Sequence, residues 1–127
     1  YRKKAEEDGI DFTILVRLQE TVGISSVDLV SILANMLENA FKGCLKAKEP
    51  RTQIRAQKKN NVVILDCRNT YDGQILFRDG LPCADDHEGI DVKSIQSTAA
   101  KYDGSAEFYE KGGLFICRVL LNARKDS

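Results

Sequence analysis

Four polar side chains fall on one stripe of a predicted helix, and their types suit a metal–phosphate ligand. Asn35 and Asn39 are four residues apart, and Glu38 and Lys42 flank them on the same helical surface. Mg²⁺ keeps several waters and takes one or two protein oxygens beside substrate phosphates, so one amide oxygen from a helix suffices. Lys42 would then meet a phosphate. A solvated helix surface explains the same spacing, because Asn, Glu and Lys are ordinary there.

The helix that carries this stripe is predicted from Ser25 to Lys46. Ser25 and Asp28 have the spacing of a capping box at a helix start, and Pro50 lies past the end. The apolar surface opposite the stripe consists of Leu29, Ile32, Leu33, Met36, Leu37, Ala40, Phe41, Cys44 and Leu45. A helix with one apolar and one polar face is expected to pack on a sheet and to line a pocket.

The remaining pattern predicts a sheet with helices on one face. Strands are predicted at residues 10–19, 52–58, 62–69, 105–109 and 114–121, a second helix at 90–102, and a long loop from Tyr71 to Glu88. The run from Val62 to Leu65 lacks alternation, as a central strand does. The order strand, helix, hairpin, loop, helix, hairpin predicts helices on one face of a mixed sheet.

Composition limits the compartment and the partners. The chain of 127 residues has the size of one domain, and its 19 basic and 19 acidic residues create no net field that would attract nucleic acid. No apolar stretch approaches the roughly 18 residues that span a bilayer. Cys44, Cys67, Cys83 and Cys117 contain no CxxC pair, so we expect buried, reduced thiols in a cytosolic protein.

Several segments resemble one family. Asn35-Met36-Leu37-Glu38-Asn39-Ala40 resembles the N-box of the GHKL superfamily of ATP-binding (HATPase) domains. Over nearly its whole length, the chain is similar to the catalytic domain of sensor histidine kinases of the peptide-quorum-sensing type. The other matching segments are Cys67 to Gly73, Asp79 to Pro82, Glu88 to Ile95 and Lys101 to Gly104.

The resemblance implies the Bergerat fold, an α+β two-layer sandwich with a mixed, mostly antiparallel sheet of about five strands on about three helices. Residues 9–124 would form this domain, and residues 1–8 would be a linker stub from an upstream helical dimerisation domain. By position, Asn39 would hold Mg²⁺, while Asn35 and Lys42 would serve the phosphates. Asn69 lies where other members have an Asp that accepts a hydrogen bond from the adenine amino group.

The segment around Gly89 resembles the second glycine box, where the backbone approaches phosphate at a helix N-terminus. Free N–H groups and the helix dipole favour an anion there. Gly89, Ile90, Lys93 and Ser94 are therefore the candidate phosphate-binding residues of this segment. His87, on the loop before it, is expected to be a surface or lid residue rather than a phosphoacceptor.

The resemblance also implies a reaction. GHKL members that hydrolyse ATP have a general-base Glu at the position of Asn35, and an amide has no comparable basicity. Phosphoryl transfer from ATP to a histidine on a separate domain of the same protein, and from there to a response regulator, is favoured over hydrolysis. The chain would be the cytosolic part of a membrane-bound sensor.

Asp91 supports an alternative function. The family usually has a second glycine at this position, and a carboxylate would face the phosphates. A degenerate GHKL domain with weak or no nucleotide binding, acting in protein interaction, is therefore the second interpretation. An unrelated α/β binding module with a merely solvated polar stripe is the third.

Overall fold

A five-stranded sheet forms one of the two layers of the fold. A computed structural model of the chain describes residues 2–18, 23–45, 47–72, 76–78, 81–83 and 90–123, with only the backbone at 76–78, 81–83, 90 and 91. In chain order the elements are α1 (Arg2–Glu7), β1 (Asp11–Arg17), α2 (Ser26–Cys44), β2 (Arg51–Lys59), β3 (Val62–Asn69), β4 (Leu76–Arg78), β5 (Leu81–Cys83), α3 (Ile90–Lys101), β6 (Ser105–Lys111) and β7 (Leu114–Asn122).

The strand order confirms the predicted mixed, mostly antiparallel sheet. The order is β1-β2-β3-β7-β6, with β1 parallel to β2 and the other pairs antiparallel. β3 is central, as its unbroken apolar run predicted. Gly112 and Gly113, both at positive φ, connect β6 to β7 in a two-residue turn that matches the twist of the flanking strands.

The apolar face of α2 packs on one face of the sheet. Ile32, Met36 and Phe41 are almost fully buried, and the ring of Phe41 meets Phe12 of β1 edge to face at 5.2 Å. The Sγ atom of Cys67 on β3 lies 3.9 Å from the Met36 carbonyl oxygen. Each such buried side chain contributes roughly 1.5–3 kcal/mol, so the position of α2 on the sheet is well determined.

α3 forms the rest of the helical layer and ends at a close backbone crossing. Val92, Ile95 and Ala99 recur at helical spacing and are buried, as predicted. A Cβ atom at Gly104 would lie 1.7 Å from the backbone oxygen of Leu120. The lack of a side chain at Gly104 is what allows the chain to cross β7 just after the end of α3.

The predicted long loop is wrong in one respect. β4 and β5 form a two-stranded antiparallel ribbon within it, in which Leu76 pairs with Cys83. Three-residue strands are too short to show periodicity, although Asp79-Gly80 is a strong hairpin signal.

The N-terminal segment contains α1, whose Ala5 is buried in the core. This segment therefore packs on the domain, and its assignment to an upstream helical domain stays a prediction. Across the described residues, no helix combines the length and the apolar character that a membrane span requires.

Candidate functional site

The polar stripe of α2 carries two carboxamides that pair with no other residue in the described part of the chain. Asn35, Glu38 and Asn39 are half-buried, and Lys42 is exposed. The side chains of Asn35 and Asn39 form no hydrogen bond with any residue in the described part of the chain. Half-buried amides without partners are available to a ligand, because ligand contacts would replace the water that they lose on folding.

A third carboxamide, Asn69, is nearly fully buried at the end of β3. Inward-facing positions alternate along this strand, and Asn69 is the last of them, with 2% of its surface exposed. Its Nδ2 donates to the Thr70 carbonyl oxygen at 2.8 Å. Its Oδ1 accepts no hydrogen bond from the residues described. Leaving a buried acceptor unpaired costs about 1–3 kcal/mol, so this oxygen fits a ligand that donates an N–H.

Gly43 locates the amide of Asn69 relative to those of Asn35 and Asn39 on α2. It follows Asn39 by one helical turn, about 6 Å along the axis. A Cβ atom at Gly43 would lie 2.8 Å from Asn69 Nδ2. Asn69 is therefore beside α2, one turn beyond Asn39. Sequence reasoning missed Gly43, although a glycine inside an amphipathic helix costs about 1 kcal/mol relative to alanine and signals a packing reason.

Thr70 ties this end of β3 to the start of β2. Its hydroxyl donates to the Glu49 carbonyl oxygen at 2.9 Å and accepts the Arg51 N–H at 2.9 Å. Its own N–H donates to the Arg51 carbonyl oxygen at 3.0 Å. The hydroxyl of Tyr71 donates to the carboxylate of Glu110 on β6. The backbone after Asn69 is thus held by the start of β2, and the Tyr71 side chain adds a contact to β6.

A junction between the start of α2 and the end of α3 consists of Ser25, Asp28, Lys101 and Tyr102. The predicted capping box at the start of α2 is wrong. Ser25 is at the N-cap position, but its side chain makes no capping hydrogen bond. The Asp28 carboxylate instead accepts the Tyr102 hydroxyl at 2.5 Å and pairs with Lys101 at 2.9 Å. The Tyr102 hydroxyl accepts the Ser25 N–H at 3.1 Å. A tertiary contact has replaced the local one.

The junction holds the end of α3 against the start of α2, and the length of α3 bears on where its first turn can lie. Ile90 begins α3, Lys93 is exposed, and Ser94 is half-buried. α3 has twelve residues, the same length of helix, about 17 Å, that separates Asp28 from Asn39. The lengths therefore allow the N-terminus of α3 to lie opposite Asn39. Gly89 and His87, and the side chain of Asp91, fall outside the described residues.

Mg²⁺ and a nucleotide fit the donors that α2 and β3 offer. Among the described residues, no group of three or more His, Cys, Asp or Glu side chains could hold a metal. A cation at Asn39 would thus take one amide oxygen and complete its shell with phosphates and water, which is a common arrangement for Mg²⁺.

The three cysteines whose side chains the structure describes supply no reactive thiol to this site. Cys44, Cys67 and Cys117 are free and buried, as predicted, while the side chain of Cys83 is outside the described part. Burial raises the pKa of all three thiols, and the Cys44 thiol also lies 3.4 Å from the Thr52 hydroxyl. A thiol that stays protonated is neither a nucleophile nor a metal ligand.

Known structures share this architecture. The catalytic domain of the histidine kinase ThkA, in a nucleotide-free form, matches 98% of this chain and 87% of its own with a TM-score of 0.77 and 12% identity. The mycobacterial sensor histidine kinase MprB matches 98% and 91%, with a TM-score of 0.70 and 16% identity. For the Acinetobacter baumannii histidine kinase AdeS the values are 98% and 59%, with a TM-score of 0.74 and 11% identity.

The low sequence identity to these structures supports a shared fold and no more, whereas a match to a family model supports membership of that family. No curated protein sequence matches the chain. The model described as the GHKL domain matches residues 24–122, which include α2, the whole strand β3 and all of α3. The chain therefore belongs to the GHKL family and has the α+β fold of histidine kinase catalytic domains.

Proposed function

We propose that this domain binds ATP with Mg²⁺ and donates the γ-phosphoryl group to a histidine on a separate domain of the same protein. The observation that carries the proposal is a set of three carboxamides on α2 and β3 whose oxygens accept no hydrogen bond from the described residues. Asn35 and Asn39 are half-buried and have no partner among those residues, and Asn69, one helical turn further along, pairs only its nitrogen and buries its oxygen. Family membership supports the nucleotide as their ligand.

Each residue has a role in this proposal. Asn69 Oδ1 accepts the adenine amino group, Asn39 supplies an oxygen to Mg²⁺, and Asn35 supports the phosphates. The proposal adds Lys42, Gly89, Ile90, Lys93 and Ser94 as further phosphate contacts. A bound Mg²⁺ would neutralise charge that develops on the transferred group. The protein itself contributes binding and orientation.

Transfer is proposed over hydrolysis because no general base stands at Asn35. An amide cannot accept a proton from attacking water, so the nucleophile must come from the acceptor. The acceptor would be an exposed histidine on an upstream helical dimerisation domain, to which we assign residues 1–8. Phosphoryl transfer to a response regulator would follow. We also propose the peptide-quorum-sensing subgroup and a cytosolic position in a membrane-bound sensor.

Calorimetry with a non-hydrolysable ATP analogue tests the binding step. We expect a dissociation constant in the micromolar to millimolar range with Mg²⁺ and weaker binding when EDTA removes it. Mixing the domain with γ-labelled ATP and the histidine-containing domain should then label the second domain. A domain that gives no heat and no thermal shift at millimolar nucleotide would disprove the proposal.

A degenerate domain that acts in protein interaction is the second candidate, and Asp91 favours it. A carboxylate in the first turn of α3 lowers the positive potential that phosphate would meet there. The same calorimetry separates the two functions, because this candidate expects weak or no nucleotide binding by the domain with Asp91 in place.

A further inference from the structure

We propose that Gly43 and Thr70 hold the Asn69 amide in one orientation, and that this makes the pocket select 6-amino over 6-oxo purine nucleotides. The inference rests on the proposed function, because it concerns the same base-binding position. It assigns specificity to two residues that border the amide nitrogen of Asn69.

An asparagine at this position creates a problem that an aspartate does not have. A carboxylate only accepts hydrogen bonds, so it favours a base with an amino group. A carboxamide can present its oxygen to an amino group or, after rotation by half a turn, its NH₂ to a carbonyl oxygen. A freely rotating Asn69 would therefore bind adenine and hypoxanthine bases with similar strength.

The Thr70 carbonyl oxygen removes this ambiguity. It can only accept, so the atom facing it must be the NH₂ group, and Asn69 Nδ2 lies 2.8 Å from it. Oδ1 must then point to the other side of the amide. Rotation would bring two acceptors together inside a site where Asn69 is 2% exposed, and buried acceptors without a donor are costly.

The carbonyl itself is held in place by the Thr70 side chain. The Thr70 hydroxyl forms hydrogen bonds with the Glu49 carbonyl oxygen and with the Arg51 N–H, each at 2.9 Å. These two bonds fix the Thr70 backbone against the start of β2. A side chain of the same shape without a hydroxyl would lose both bonds. The direction of the Thr70 carbonyl would then be less well defined, and so would the preferred orientation of the amide.

Gly43 provides the space for the nitrogen. A Cβ atom there would be 2.8 Å from Nδ2, 3.7 Å from Cγ and 4.0 Å from Oδ1. An added methyl group would therefore push the nitrogen first and turn the amide away from Thr70. Gly43 is exposed although Asn69 beside it is buried, so a ligand can approach the amide along this part of α2.

The consequence is a preference among bases. An adenine amino group donates to Oδ1, whereas the 6-oxygen of hypoxanthine or guanine would face it as a second acceptor. One buried acceptor pair of this kind corresponds to roughly 10- to 100-fold in affinity. ADP and IDP differ at position 6 of the base and at N1, which carries a proton only in IDP. The change in the ratio of their dissociation constants from the wild type to each variant therefore measures the contribution of the held amide.

The experiment compares ADP and IDP binding by calorimetry in the wild-type domain, Gly43→Ala and Thr70→Val. We expect the wild type to prefer ADP by roughly 10- to 100-fold and both variants to bring the ratio below about 3. Thr70→Ser keeps the hydroxyl and should keep the preference. Thr13→Val, on the exposed edge strand β1, is the control for the same substitution away from the site.

The outcomes are distinguishable. A wild type that binds both nucleotides equally, or a folded Gly43→Ala and Thr70→Val that both keep the wild-type ratio, would overturn this inference and leave the proposed function standing. A wild type that binds neither nucleotide would overturn the proposed function, and the inference with it. Should Gly43→Ala fail to fold, the Thr70→Val and Thr70→Ser pair still decides.

Discussion

Polar side chains at the two ends of α2 differ in whether other described residues bond to them. At the N-terminal end the half-buried carboxylate of Asp28 accepts the Tyr102 hydroxyl and pairs with Lys101. Along the second half, the half-buried amides of Asn35 and Asn39 have no partner in the described part of the chain. All three side chains are half-buried, so the difference between them is whether the fold places a hydrogen-bond partner beside them.

A satisfied polar group and an unsatisfied one predict different mutational effects. Groups that bond within the protein stabilise the fold, and their removal lowers the free energy of unfolding. Groups that bond to nothing in the protein add little to stability, and their removal should affect binding alone. The N-terminal end of α2 is thus expected to be structural and the second half functional.

Replacing Asn39 by alanine should produce the largest effect and the cleanest separation. We expect Mg²⁺-dependent nucleotide affinity to fall by about 100-fold or more, because the charge of the metal contributes several kcal/mol. The free energy of unfolding should stay within about 0.5 kcal/mol of the wild type. Calorimetry and urea denaturation measure the two quantities.

Ser31→Ala, an exposed polar position on the same helix, is the control for Asn39→Ala. It should change neither quantity. A large loss of stability in Asn39→Ala would show that this amide has a structural role, and the contrast between the two ends of α2 would fail.

Replacing Asp28 by alanine should have the reverse effect. It removes a charge-assisted hydrogen bond and leaves the Tyr102 hydroxyl without its acceptor, so we expect a loss of about 2–3 kcal/mol in the free energy of unfolding. Tyr102→Phe should cost about 1–2 kcal/mol, and the double variant less than the sum. Lys101→Ala should cost less than about 1 kcal/mol, because the Lys101 side chain is 54% exposed.

Denaturation of all four variants at one pH, with nucleotide affinity measured on the folded fraction, tests the junction. If Asp28→Ala unfolded at the wild-type urea concentration but lost nucleotide binding, the junction would belong to the binding machinery instead.

Much of the fold could be predicted because its patterns are long. The alternation before Arg17, the unbroken run of β3 and the amphipathic face of α2 each extend over several residues, and tertiary packing agreed with all three. β4 and β5 were missed because three residues carry no period. The parallel pairing of β1 with β2 depends on contacts between distant segments, which a local pattern does not encode.

The residues of the candidate site also fall into those that the sequence pattern suggested and those that it did not. Asn35 and Asn39 could be predicted because both lie on one helix at a fixed spacing. Gly43 and Thr70 could not, because their importance comes from the position of Asn69 in three dimensions. Asp28 was assigned to a local capping box, whereas its partner Tyr102 is 74 residues away in the sequence. Local signals therefore suggest candidate ligand residues more readily than the residues that would position them.

The three described buried thiols lie at the end of α2, on β3 and on β7, and they predict how the stability of the core responds to pH. Burial raises the pKa of Cys44, Cys67 and Cys117 above the usual value of 9.0. Their contribution to stability is fully present below the pKa of the unfolded chain and is lost as the pH rises toward the folded-state pKa. Above pH 9 we expect a loss of up to about 1.4 kcal/mol per pH unit for each thiol.

Urea denaturation at pH 8, 9 and 10 under reducing conditions measures this slope. Cys67→Ala should be less stable at pH 8 and should show a shallower slope, because one ionising thiol is gone. A free energy of unfolding that is constant across this range would mean that the thiols ionise in the folded protein as easily as in the unfolded chain.

Removing the charge of Asp91 should have the smallest effect of these substitutions. It tests the first turn of α3, whereas the Asp28 variants test the end of α3 that contacts α2. A carboxylate in the first turn of α3 that is separated from a phosphate by solvent would oppose binding by about 0.5 kcal/mol, so Asp91→Asn should tighten nucleotide binding about 2- to 3-fold. The gain should shrink as salt rises from 50 to 500 mM, because screening shortens the range of the repulsion. Asp11→Asn, an exposed carboxylate at the start of β1, should show no gain at either salt concentration. Weaker binding in Asp91→Asn would mean that Asp91 assists binding, for example through a cation shared with the phosphates, and that the departure from glycine is functional rather than degenerate.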